Sequence, residues 1–189
     1  MKYIKTYEQS KGITFKEWLK NNPKDLNTVY INCSYSNLID LDGIGQFTNL
    51  KELLCSNNKL TSLPDLPYTL EELSCSYNKL TSLPDLPDTL EELSCSDNEL
   101  TSLPDLPDTL LRLYCPNNQL TSLPDLSSLV NLRSLFCYDN KLTSLPDLPD
   151  TLQILWCHNN QLPYYNLESY WKWFEETYPE KVAAKKYNL

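Results

Sequence analysis

Seven cysteines are the side chains best suited to chemistry here, and their spacing restricts what they can do. They recur every 20 or 22 residues, as Cys33, Cys55, Cys75, Cys95, Cys115, Cys137 and Cys157. An odd number of thiols cannot pair completely into disulfides. No C-x-x-C pair is present and histidine occurs once, so a zinc site is not indicated. The spacing instead predicts a column of buried free thiols that pack as small hydrophobes, in a reducing compartment.

The single histidine, His158, directly follows Cys157 and raises the question of a nucleophilic Cys–His pair. Neighbouring residues of a strand point to opposite faces, so the two side chains cannot reach each other. We therefore expect no catalytic residues and no enzymatic activity.

Aspartates form a second regular series that could do chemistry. They follow the first proline of each repeat (Asp65, Asp85, Asp105, Asp125 and Asp147) or the second (Asp88, Asp108 and Asp150). Stacked carboxylates raise each other's pKa and could bind calcium, which takes oxygen ligands. Alternatively, they form a solvated acidic surface and bond to turn amides.

These residues belong to a repeated unit, L-x-x-L-x-C-x-x-N-x-L-x-x-L-P-x-L-P-x-x, of 20 residues. Numbered from its first leucine, it begins at Leu50, Leu70, Leu90, Leu110, Leu132 and Leu152, and a degenerate copy covers 28–49. The copies at 28–49 and 110–131 have 22 residues. Position 9 is asparagine in Asn58, Asn78, Asn98, Asn118, Asn140 and Asn160.

The unit resembles the leucine-rich repeat family, with cysteine in place of the third leucine. Its short Leu-Pro-x-Leu-Pro form is most similar to the repeats of secreted bacterial effectors and of giant viruses that infect amoebae. The resemblance implies an α/β repeat solenoid that presents a large surface to protein partners. Such effectors can carry a separate ubiquitin-ligase domain with a catalytic cysteine, for which this chain has neither room nor a cysteine outside the series.

The repeat predicts its own elements. Positions 3–7 alternate as in a strand, with positions 4 and 6 facing in and positions 3, 5 and 7 facing out. The strands stack into a parallel concave sheet, and the asparagine amides satisfy inward-pointing backbone groups. Two prolines per unit exclude a helix on the convex side, which should be extended, wider in the 22-residue units, and only weakly curved.

Three segments follow from this pattern. Residues 1–27 are an N-terminal helical cap, with a capping box from Thr14 to Glu17. Residues 28–163 hold seven repeats. Residues 164–189 form a C-terminal helical cap and tail, with Asn166 as N-cap of a helix over 167–178. The apolar stripe of that helix either packs on the last repeat or docks a partner.

The outward positions of the last three strands hold the candidate binding residues. They are Tyr114, Phe136, Tyr138, Trp156, His158, Ile154 and Arg112. Contiguous exposed aromatic side chains often mark a binding surface. Alternatively, the C-terminal segment covers these residues, or they mediate self-association.

The charge balance narrows the class of partner. Lys+Arg number 16 against 25 Asp+Glu, a formal net charge of −9, which disfavours nucleic acid and anionic membranes. No apolar run could span a bilayer, and the N-terminus lacks the apolar core of a Sec signal. We expect a monomeric, non-catalytic module without a cofactor that binds a protein partner in the cytosol, or in a host cytosol if its source is a pathogen or virus. The alternatives are a structural or self-assembling component and calcium binding by the aspartates.

Overall fold

Seven three-residue strands stack into one parallel sheet in the computed structural model, which describes residues 11–180 and 182. They run in chain order as β1 Tyr30–Asn32, β2 Glu52–Leu54, β3 Glu72–Ser74, β4 Glu92–Ser94, β5 Arg112–Tyr114, β6 Ser134–Phe136 and β7 Ile154–Trp156. Equivalent repeat positions face each other, as in the pairing of Leu73 with Leu93. This register confirms the predicted α/β solenoid with one strand per repeat.

The core is the inward side of each coil. In the second full repeat, Leu70, Leu73, Cys75 and Leu80 have no exposed surface. Burying one leucine side chain contributes about 1.5–3 kcal/mol before entropy costs. The leucines at position 17 are buried less regularly than predicted, since Leu66 is only half-buried.

The asparagine of position 9 ties neighbouring coils together. The Nδ2 of Asn98 donates to the carbonyl oxygens of Cys75 and Cys95, both at 3.1 Å. Its Oδ1 accepts from the backbone N–H of Leu80 at 3.0 Å. The same bonds recur at Asn78, Asn118, Asn140 and Asn160. The predicted satisfaction of inward backbone groups is therefore confirmed. The degenerate repeat has Ser36 in place of the asparagine, and the hydroxyl of Ser36 donates to the carbonyl oxygen of Ser34 in its own turn.

The convex side is extended, as its prolines predict, apart from one 3-10 turn over Ile44–Gln46. No signal in the sequence had predicted this turn. Gly43 begins it at a φ of +92°, a conformation that glycine adopts without steric cost. The other 22-residue unit has Asp125 at the equivalent place, where the carboxylate accepts from the N–H of Ser127 and no 3-10 turn forms.

A helix packs on each end of the solenoid. Helix α1 (Phe15–Asn21) has the predicted capping box and packs Phe15 edge-on against Phe47 of the first repeat, with ring centroids 6.4 Å apart. Helix α2 (Leu167–Thr177) begins at the predicted N-cap, Asn166, and ends one residue earlier than predicted. The first ten residues of the predicted N-terminal cap and the tail at 183–189 lie outside the described residues. The three-segment division itself stays a prediction.

Candidate protein-binding surface

Strand alternation and register bring position 5 of the last three strands into one row. Tyr114 on β5, Phe136 on β6 and Trp156 on β7 are paired in register. The rings of Tyr114 and Phe136 stack with centroids 4.8 Å apart, and Phe136 meets Trp156 edge-on at 5.3 Å. Three aromatic residues far apart in the chain thus form one continuous surface.

Position 7 adds a second row beside the first. The rings of Tyr138 and His158 stack at 4.7 Å, nearly parallel, and each lies 6.4 Å from the ring of Trp156. Together with Tyr114 and Phe136, these side chains form a group of five rings, which we call the aromatic patch. The structure thereby brings these five predicted residues together.

The C-terminal helix caps the solenoid and leaves the patch open. The carbonyl of Tyr165 accepts from the N–H of Cys157 at 3.0 Å, which covers the outer edge of β7. Tyr170 and Phe174 of α2 are buried against Leu148, on the convex side of the repeat that begins at Leu132. Trp156 meanwhile keeps 51% of its surface exposed. The arrangement favours the cap over the docking helix and over a patch covered by α2.

Two predicted site residues lie beside the patch. Ile154, at position 3 of β7, is 42% exposed and extends the apolar surface. Arg112, at position 3 of β5, forms an ion pair with Glu92 of the preceding strand. Ser134 departs from the predicted alternation, because it is buried although it holds an outward position.

The other half of the outer face is acidic and hydroxylated. Glu52, Glu72 and Glu92 face each other on β2, β3 and β4. The hydroxyls of Ser76 and Ser94 lie 2.9 Å apart, and Ser56 and Ser74 repeat this contact. A depression of about 260 Å³ opens between β3 and β4, and the ring of Tyr114 borders it toward the aromatic patch.

The cysteines are reduced and buried at all seven repeat positions, which confirms the cysteine ladder. Burial raises the pKa of Cys75 to about 12, and it raises those of Cys55, Cys95 and Cys115 well above the ordinary value. Thiols in this state are poor nucleophiles at neutral pH. Cys157 is buried and His158 lies on the outer face, so they occupy opposite sides of the strand as predicted.

The aspartates of the back do not form a metal centre in the part of the chain that the structure describes. Between residues 11 and 182, no three His, Cys, Asp or Glu side chains are grouped so that they could hold an ion. For Asp125 the expected direction of the pKa shift is wrong. Its pKa is lowered because the backbone N–H and the hydroxyl of Ser127 both donate to the carboxylate, each at 2.9 Å.

Position 8 has a backbone feature that the sequence analysis missed. All seven residues at this position have φ between +52° and +57°, in the left-handed region. Five of the seven are asparagine or aspartate, which tolerate this region, and that bias was the available signal. The other two are Tyr35 and Tyr77, both exposed. The carboxylate of Asp97 raises the pKa of Tyr77.

Comparison with known proteins places this geometry in a family. Residues 69–108 and 108–150 match the model for leucine-rich repeats. The structure resembles YopM from Yersinia enterocolitica, with 35% identity, a TM-score of 0.61, and coverage of 80% of this chain and 33% of that one. It also resembles the leucine-rich repeat domain of a Shigella effector, with 35% identity, a TM-score of 0.64, and coverage of 82% and 66%.

A third similar structure is the functional domain of InlJ from Listeria monocytogenes, described as including a cysteine ladder. It has 26% identity and a TM-score of 0.50, with coverage of 74% of this chain and 41% of that one. No curated protein sequence matches at a significant level. The chain is a leucine-rich repeat protein. Its repeats are similar to those of bacterial effectors, and the predicted likeness to viral proteins stays a prediction.

This chain spans only a third of YopM and about two thirds of the Shigella domain. Proteins with such repeats are generally protein-interaction modules. Neither α1 nor α2 has the length and apolar content of a membrane-spanning helix, and no other described helix does.

Proposed function

We propose that this chain is a non-catalytic module that binds a protein partner on the outer face of its sheet. The observation that carries the proposal is the exposure of Trp156, whose ring contacts three of the other four rings of the aromatic patch. Tryptophan and tyrosine dominate the energetics of protein interfaces, and exposed apolar patches of this kind are commonly interaction sites. The stacking also fixes the rings before binding, which lowers the entropy cost of association.

The proposed setting is a reducing compartment, and the likeness to bacterial effectors supports the cytosol of a host cell. Free thiols at seven positions are compatible with that compartment. The net charge of −9 supports a protein partner in preference to a nucleic acid. We also propose that the chain is a monomer, which the concentration series below tests.

The test is the double variant Phe136→Ala/Trp156→Ala. We expect partner capture from a host-cell lysate to fall at least about tenfold, since each anchor typically contributes more than 1 kcal/mol. The matched control is Tyr68→Ala/Val130→Ala, which removes two exposed apolar side chains from loops away from the patch. Circular dichroism checks that both variants keep the fold. Equal capture by both would contradict the proposal.

Light scattering over a concentration series distinguishes self-assembly of the chain from binding of a different protein partner. A mass that rises with concentration, and that the patch variant alone abolishes, would assign the aromatic patch to contacts between copies. A constant monomer mass supports the partner-binding proposal.

A further inference from the structure

The charges on strands β2 to β4 are unbalanced. Glu52, Glu72 and Glu92 lie directly opposite one another, an arrangement that destabilises a sheet. Arg112 pairs with Glu92. Within residues 11–180, no lysine or arginine forms an ion pair with Glu52 or Glu72. Folding thus leaves this part of the outer face with more negative than positive charge.

Part of that negative charge lines the depression between β3 and β4. Glu72 and Glu92 line it at position 3, Ser74 and Ser94 at position 5, and the ring of Tyr114 forms its border. Carboxylates and hydroxyls accept hydrogen bonds, and the face of a tyrosine ring attracts a cation. An ammonium or guanidinium group finds all three kinds of contact there.

We propose that this depression binds a lysine or arginine side chain of the same partner that covers the aromatic patch. The inference rests on the proposed function and deepens it, because it defines the chemistry of the partner. Tyr114 borders the depression and also stacks on Phe136, so the two sites are continuous. The bound segment combines a basic residue with an aromatic or aliphatic anchor.

The sheet also sets the spacing of these two residues. Neighbouring strands lie about 4.8 Å apart, which places β4 about 14 Å from β7 and Trp156. An extended peptide advances about 3.3 Å per residue, so the basic residue and the anchor are separated by about four positions. The segment crosses the strands and does not run along them.

The test uses a displayed library of random 12-residue peptides selected on the immobilised full chain. We expect enrichment of peptides with lysine or arginine about four positions from an aromatic or aliphatic residue. The affinity of the best peptide should fall about tenfold on Glu72→Gln, as expected for loss of one charge-assisted hydrogen bond. It should also weaken as salt rises. Glu72 is the residue to change because removing Glu92 would release Arg112.

The matched control is Glu175→Gln, which removes one exposed carboxylate from α2. Glu72→Gln relieves repulsion between strands, so loss of folding does not explain weaker binding. Peptides that need Trp156 but show no basic residue, or that bind Glu72→Gln unchanged, overturn the inference and leave the proposed function standing. Peptides that bind independently of both Glu72 and the patch contradict both. If no peptide is enriched, the inference of a bound basic residue is overturned. The proposed function is not, because it is tested separately by capture of a partner from a lysate.

Discussion

Position 8 of the repeat shows how one backbone conformation limits the choice of residue. The chain turns there from the strand toward the asparagine of position 9, and every copy uses positive φ. An L-residue with a Cβ loses about 1–2 kcal/mol in this region, and asparagine or aspartate loses less because its side chain bonds locally. Tyr77 therefore carries more strain than Asn117 at the equivalent place.

Replacing that tyrosine should stabilise the protein. We expect Tyr77→Asn to raise the free energy of unfolding in urea by about 1 kcal/mol, since the strain is relieved. The contact with Asp97 is also lost, but it lies at an exposed site and contributes little. The control is Tyr68→Asn, which removes another exposed tyrosine ring at a residue where φ is not positive. A gain shared by both variants, or a loss at Tyr77, would show that the backbone is unstrained there.

The role of a residue was predictable from the sequence where its position in the repeat alone determines whether it faces the core or the solvent. The cysteines hold one position in every copy and the asparagines hold theirs in every copy except the degenerate one, so a single assignment of inward and outward faces placed all of them. The stacking of Tyr138 on His158 could not be read from the sequence, because ring orientation depends on rotamers and on the spacing of β6 and β7. The strain at Tyr77 was also hidden, since tyrosine gives no signal for positive φ.

Among the elements, the two helices cover the two ends of the solenoid, where the core of the first and last repeats would otherwise be exposed to solvent. Each repeat contacts only its neighbours, so the last coil depends on what covers it. Phe174 is only 7% exposed and lies beside Leu148 on the convex side of the preceding repeat, where Tyr170 stacks on it at 5.9 Å. The N-cap residue of α2, Asn166, also forms a β-bridge with Trp156 of β7. The stability of β7 is therefore coupled to α2.

Truncating the cap should loosen the C-terminal end first. For Phe174→Ala we expect a loss of about 3–5 kcal/mol, the usual cost of removing a buried phenylalanine. Hydrogen exchange should show lost protection at Leu155 on β7, while Leu53 on β2 keeps its protection. Glu175→Ala, one residue away and exposed, is the control and should leave both unchanged. Uniform loss of protection along the sheet would mean that the solenoid unfolds as one unit.

Both helices were predictable because their capping residues are local signals, Thr14 with Glu17 for α1 and Asn166 for α2. The 3-10 turn was not, because two units of equal length differ there only in detail. Gly43 allows positive φ in the first unit, and Asp125 uses its carboxylate in the other. Length predicted a wider back, but side-chain chemistry determined its conformation.

At the scale of the molecule, the cysteine ladder runs through the entire solenoid and links its stability to pH. Burial raises the pKa of Cys33, Cys75 and Cys157 to about 12, from an ordinary value of 9.0. The unfolded chain therefore loses thiol protons above about pH 9, while the folded chain retains them. Because the unfolded state then binds fewer protons, the free energy of unfolding must fall as pH rises between about 9 and 12.

This predicts a steep alkaline loss of stability, measurable by urea unfolding in the presence of a reductant. Stability should change little between about pH 7 and 8, then decline from about pH 8.5 to 9.5, where unfolded thiols lose their protons ahead of most unfolded tyrosines. Each buried thiol contributes a slope of up to about 1.4 kcal/mol per pH unit. Cys75→Val keeps the side chain apolar and removes one titrating thiol, so it should reduce the slope of the free energy of unfolding against pH by the contribution of one proton. Ser102→Val, at an exposed site, should leave that slope unchanged. A profile that stays flat to pH 10 would mean that the thiols reach solvent in the folded protein, and the separation of inner ladder from outer aromatic patch would no longer hold.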